Sequence, residues 1–69
     1  MTKQEYLEYK QQNPFPYLQY YFEKNGGTKV PLPIFQKSLL IWTQMLGFGA
    51  MERLIEGVEQ KLDKEFNIK

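Results

Sequence analysis

The chain has 69 residues, nine basic and eight acidic side chains for a net charge of +1, and neither cysteine nor histidine. Disulfides and the metal sites built from Cys and His are thereby excluded, and no electrostatic drive towards nucleic acid or an anionic membrane exists. A chain this short forms one domain at most and buries only about 60% of the surface its unfolded form exposes, so packing and partners must stabilise it, and its aromatic content of 16% supplies large rings for that purpose.

Thr2 followed by Glu5 matches the S/T-x-x-E capping box, in which each side chain satisfies a free backbone N–H at a helix start. The first helix is expected to begin there and to end by Asn13, because Pro14 biases the preceding residue away from helical geometry. Its apolar side chains are Tyr6, Leu7 and Tyr9. At that length the helix has negligible stability alone, so it must dock.

The stretch NPFPYLQYYF places five aromatics between Phe15 and Phe22 with no charge among them. Pro16 suits a first helical position, where its missing N–H costs nothing. Tyr17, Leu18, Tyr21 and Phe22 recur on one helical face and are expected to pack on the rest of the domain, while Tyr20 points elsewhere. Asn25-Gly26-Gly27 ends this helix, since glycine tolerates the left-handed conformation of a terminus. The following TKVPLP, with Pro31 and Pro33, reads as an extended connector rather than a strand.

A third helix is predicted from Pro33 to Leu46. Its apolar residues, among them Ile34, Phe35, Leu39, Ile41, Trp42 and Met45, fill an arc of about 180°, much wider than the roughly 100° stripe of an ordinary surface helix. This helix is therefore expected to be central and contacted on more than one side, with Trp42 in the core. Leu40 sits alone on the far side among Gln36, Lys37, Thr43 and Gln44.

GFG at Gly47–Gly49 reads as a stop and restart, with Phe48 folding back on the cap and Gly49 capping the next helix. That last helix carries Met51, Leu54, Ile55, Val58, Leu62 and Phe66 at spacings of three and four, a narrow amphipathic stripe. The fold prediction is all-α: one small helical domain over residues 1–69, a bundle of about four short helices near 2–13, 16–25, 33–46 and 50–67, with an antiparallel C-terminal helical hairpin.

Candidates for chemistry are few. Glu52, Glu56, Glu59 and Asp63 lie on the polar face of the last helix, where a charge run is expected to be solvated, and without histidine they do not form the inward-facing Glu-x-x-His metal sites of helical bundles. Ser38, the only serine, lacks a base positioned to activate it. Neither NGG nor GFG has the G-x-x-x-x-G-K-[ST] pattern of a phosphate loop. No catalytic residue, metal, cofactor or small-molecule substrate is expected.

Aromatic stacking platforms for nucleic acid sit in basic grooves, yet no Lys or Arg occurs from Gln11 to Phe22, which disfavours that alternative, a nucleic-acid-binding accessory protein. The N-terminus is polar from its first residues and lacks the apolar core of a secretory signal. The longest uncharged run, Ser38 to Met51, has fourteen residues against the roughly 20 that a spanning helix needs, so membrane insertion is not expected and a soluble, cytoplasmic setting is the default. The functional expectation is a non-catalytic protein–protein interaction or assembly module that binds another protein or itself. Phe15, Tyr20, Leu40 and Phe48 are its candidate interface residues, being apolar or aromatic where the helical pattern expects polar side chains.

Overall fold

A computed structural model describes residues 1–68 as four helices: α1 (Lys3–Gln12), α2 (Phe15–Lys24), α3 (Leu32–Leu46) and α4 (Phe48–Glu65). No strand occurs among the described residues. α2 packs against each of the other helices, and α3 and α4 pack on one another. The chain reverses at Gly47, so that Leu39 and Trp42 before it and Leu54 after it line a common groove, and α3 and α4 form the expected hairpin.

Local chemistry sets the helix ends. The Glu5 backbone N–H donates to Thr2 Oγ1 at 3.1 Å and the Thr2 N–H donates to Glu5 Oε1 at 3.0 Å, completing the capping box. Between α1 and α2 the Asn13 carboxamide oxygen accepts from the Phe15 N–H at 3.1 Å, an Asx turn that leads into a helix with proline in its first turn.

α2 ends in a Schellman arrangement. Gly27 N–H donates to the Phe22 carbonyl at 2.7 Å and Gly26 N–H to the Glu23 carbonyl at 3.3 Å. Gly26 takes φ +93, and a Cβ on Gly27 would lie 2.7 Å from the Phe22 carbonyl oxygen. Both glycines are therefore required, one for its backbone angle and one for its closeness.

α4 ends the same way with asparagine in the left-handed position: Asn67 has φ +57, and Ile68 N–H donates to the Asp63 carbonyl at 2.8 Å. Ile68 then folds back onto the core, the apolar contact that accompanies this cap.

The α3–α4 corner is tighter than the sequence suggests. Gly47, at φ +94 and ψ 161, is both the last cap of α3 and the first cap of α4, a conformation open in practice only to glycine. Gly49 is therefore not the cap but lies within the first turn of α4. Phe48 does not fold back either; it is 84% exposed at the corner.

The fully buried apolar residues are Tyr6 from α1, Tyr17 and Leu18 from α2, and Val58 and Leu62 from α4. Around Tyr6 the rings interlock: Tyr17 meets it edge-on at 5.3 Å and Phe66 stacks on it at 5.3 Å. α3 contributes only Thr43 to the buried set, which corrects the expectation that it is central. The α1–α2–α4 unit is already filled by aromatic rings, so α3 packs on both α2 and α4 from outside that unit, along one edge of its own surface.

That edge is Leu32, Phe35, Leu39 and Thr43, spaced by three and four; Phe35 and Leu39 pack against the core, and the Thr43 hydroxyl is satisfied by donating to the Leu39 carbonyl at 2.8 Å. With each residue turning the helix by about 100°, this edge lies roughly a quarter turn away from the middle of the apolar arc. The middle faces outward.

Candidate functional site

Two features have the composition of a site: a polar network between α1, α2 and α4, and the uncovered face of α3. The network gathers side chains far apart in sequence. Tyr6 Oη donates to Asp63 Oδ1 at 2.6 Å and lies 3.3 Å from the Glu59 carbonyl, while Tyr17 Oη donates to Glu59 Oε1 at 2.9 Å. Lys10 Nζ donates to the same Asp63 oxygen at 3.0 Å, lies 3.8 Å from Glu59 Oε2 and sits 5.3 Å from the centre of the Tyr6 ring. Two of the four carboxylates expected to be solvated on α4, Glu59 and Asp63, are thus half-buried partners of the core tyrosines; Glu52 and Glu56 do face solvent.

The protonation states define what the network can do. Burial pushes the Tyr6 phenol well above its usual value, and its hydrogen bond to Asp63 and the nearby carboxylate charges push it further. Tyr17 is raised in the same way, by burial first and then by Glu59. Burial also pushes the Asp63 carboxyl up, but the bonds from Tyr6 and Lys10 and the Lys10 charge outweigh it, and the group ends below its usual value. At neutral pH the phenols are donors and Asp63 is a carboxylate. The network is a tie between helices, with no poised base, and no buried side-chain polar atom among the described residues lacks a partner.

A pH profile follows from these directions. The depressed Asp63 contributes stability that is complete above about pH 4, its unfolded range, and that is lost as pH falls through its lowered folded value. Glu5, held down by its capping-box bonds to Thr2, acts in the same direction. The raised tyrosines contribute stability that is complete below about pH 10 and lost as pH rises above it. With no histidine in the chain, no side chain of ordinary pKa titrates between these limits. Melting temperature is expected to be flat from about pH 5 to 9 and to fall on both sides, with Asp63→Asn weakening the acid dependence and Tyr6→Phe the alkaline one. Circular dichroism melts across pH test this, and an unchanged acid limb in Asp63→Asn would contradict it.

The second feature is the outer surface of α3. Ile34, Ile41, Met45 and Leu46 on the helix and Phe48 at the corner are large apolar side chains with exposures from 49% at Ile41 to 84% at Phe48. Ile34, Ser38, Ile41 and Met45 follow a four-three-four spacing, which places them in one row. Beside the row lies an open apolar groove of about 490 Å³ lined by Phe22, Phe35, Ser38, Leu39, Trp42 and Leu54. Within its lining Phe22 from α2 meets Phe35 from α3, their ring centres 5.8 Å apart. Trp42 thus lines the groove half-buried instead of filling the core.

The four candidate interface residues fall into two pairs. Phe15 and Tyr20 pack against the core cluster; Tyr20 stacks on Phe66 at 6.3 Å and its hydroxyl donates to Glu65 Oε2 at 2.8 Å. Tyr20 therefore does not point away from the body of the domain: it closes the α2–α4 seam, where Lys24 also pairs with Glu65. Leu40 and Phe48 are exposed, Leu40 on the flank of α3 between Gln36 and Gln44 and Phe48 at the α3–α4 corner. Ile34, Ile41 and Met45 are surface residues that sequence reasoning missed: the arc is wider than one thin domain can cover, but the pattern points to apolar side chains at polar positions and not to the part of the arc left open.

Among the described residues, no group of three or more acidic side chains could hold a metal ion, and no helix is long and apolar enough to cross a membrane. No protein-family description, curated protein or solved structure matches this chain.

Proposed function

We propose that this protein is a non-catalytic protein–protein interaction module whose contact surface is the outer face of α3. The observation that carries this reading is the apolar row of Ile34, Ile41 and Met45, with Phe48 at the corner beyond it, all exposed. Single exposed apolar side chains are ordinary, but contiguous apolar patches beyond a few hundred Å² mark contact sites on soluble domains. The composition of α3 supports the same reading. Its fifteen residues include one charged side chain, Lys37, whereas a nucleic-acid surface needs several cations to neutralise phosphates.

Leu40 and Phe48 belong to this surface as its flank and its corner. Phe15 and Tyr20 already have intramolecular partners and are assigned to the fold. The face is tested with the triple variant Ile34→Ser/Ile41→Ser/Met45→Ser, compared with the wild type by chemical cross-linking in an extract of the native source and by circular dichroism of the purified chains. The expected result is loss of the wild-type adducts with helicity and melting temperature within the small changes typical of exposed positions. Adducts that persist in the triple variant would overturn the reading.

A further inference from the structure

We infer that the partner of the α3 face is the same face on a second copy of this chain, forming a two-fold dimer; the inference rests on the reading of that face as a protein contact and names its occupant. Exposed area favours a second copy. A monomeric protein of 8.3 kDa is expected to expose about 4,600 Å², whereas this chain exposes 5156 Å². The excess, roughly 600 Å² over the whole chain, is of the order of the roughly 800 Å² that each partner buries in a standard stable interface, and large apolar side chains of α3 are among the exposed residues that make it up.

Shape favours it as well. A two-fold interface uses one patch twice, so the patch must be complementary to itself. The α3 face has both halves of such a fit, because the exposed row of Ile34, Ile41 and Met45 lies beside the groove of about 490 Å³ lined by Phe22, Phe35, Ser38, Leu39, Trp42 and Leu54. Rotation by two-fold symmetry places the row of each copy over the groove of the other. The four-three-four spacing of the row is that of side chains which interlock between paired helices, and Ser38 within it is small enough to let the helices approach.

Charge does not oppose it. α3 carries Lys37 and no acidic residue, and the whole chain has a net charge of +1. Two copies therefore meet with little repulsion. A strongly charged partner, in contrast, would find no complementary field on this face.

Sedimentation equilibrium of the purified chain from about 1 µM to 1 mM, spanning weak to moderate affinities, tests the inference with three variants. Met45 is 79% exposed, so Met45→Glu costs the monomer little but buries a charge in the dimer. Ile41→Ser is a milder change on the same row, which keeps the test decisive should the glutamate disturb folding. Leu7→Glu alters an exposed leucine of α1 and serves as the control.

The expected result is a wild-type dimer, retained in Leu7→Glu and weakened about 30-fold or more in Met45→Glu, as for a central contact residue, with helicity unchanged. A wild type that stays monomeric throughout would overturn the dimer. So would a dimer that survives both Met45→Glu and Ile41→Ser, because it would use another surface. These failures differ from failure of the wider reading: a monomer whose cross-links to other proteins vanish in the triple variant keeps the α3 face as a contact surface and loses only the second copy as its occupant.

Discussion

Replacing Leu18 by alanine is expected to leave the domain largely unfolded at room temperature. Leu18 is 0% exposed in the middle of α2, where it belongs to the cluster of Tyr6, Tyr17, Val58 and Leu62. Removing a buried leucine side chain costs about 2–5 kcal/mol through lost burial and the cavity left behind. A domain of this size, without disulfide or metal, has only about 3–5 kcal/mol in total. The two quantities are equal within their spread, so the variant should show a large loss of helicity and of cooperative melting by circular dichroism. Leu40→Ala, at an exposed position, should change the monomer's stability by no more than about 0.5 kcal/mol. A Leu18→Ala protein that melts within a few degrees of the wild type would show that the core lies elsewhere.

Tyr6→Ala is expected to have an effect of at least the same size, and to release α1 first. Tyr6 is the only fully buried residue of that helix, and its ring is held between Tyr17 and Phe66 while its hydroxyl reaches Asp63. Truncating a buried aromatic costs about 3–5 kcal/mol, and a ten-residue helix freed from its anchor has too few turns to persist. Tyr6→Phe keeps the ring and removes only the bond to the carboxylate, so it should cost about 1.5–3 kcal/mol, discounted because Asp63 is one-third exposed. Hydrogen exchange should show α1 amides unprotected in Tyr6→Ala and protected in Tyr6→Phe. Equal protection in both would mean that Met1 and Tyr9, which also pack on the core, hold α1 without it.

The helix ends were the most legible part of the fold, because each rests on chemistry that acts within a few residues. Thr2 and Glu5 make the capping box their spacing predicts, and Gly26, Gly27 and Gly47 stop helices where expected. What the sequence concealed was the docking angle of α3. A count of apolar positions around a helix measures how much surface could be buried, but not how much its neighbours cover. The arc of α3 is that of a central helix, yet Tyr6, Tyr17 and Phe66 already fill the space between α1, α2 and α4.

The same limit hid the polar network. Glu59 and Asp63 look like ordinary solvated carboxylates until Tyr6, Lys10 and Tyr17, between 42 and 57 positions away, are brought onto them. Periodicity marks the side of α4 they occupy and says nothing of partners at that separation. Tyr20 escapes the pattern for a related reason: it lies off the main stripe of α2, but Phe66 at the end of α4 extends the packed surface to meet it.

The central claim is that the outer face of α3 is open in the single chain and covered when two copies meet. Trp42 is the only tryptophan and lines the groove beside that face, so its fluorescence reports the covering directly. Emission and acrylamide quenching would be recorded while protein concentration rises through the range in which sedimentation shows association. The account predicts a shift to shorter wavelength and reduced quenching as concentration rises, with Met45→Glu held at the dilute values throughout. Emission and quenching that stay constant with concentration in the wild type would contradict it.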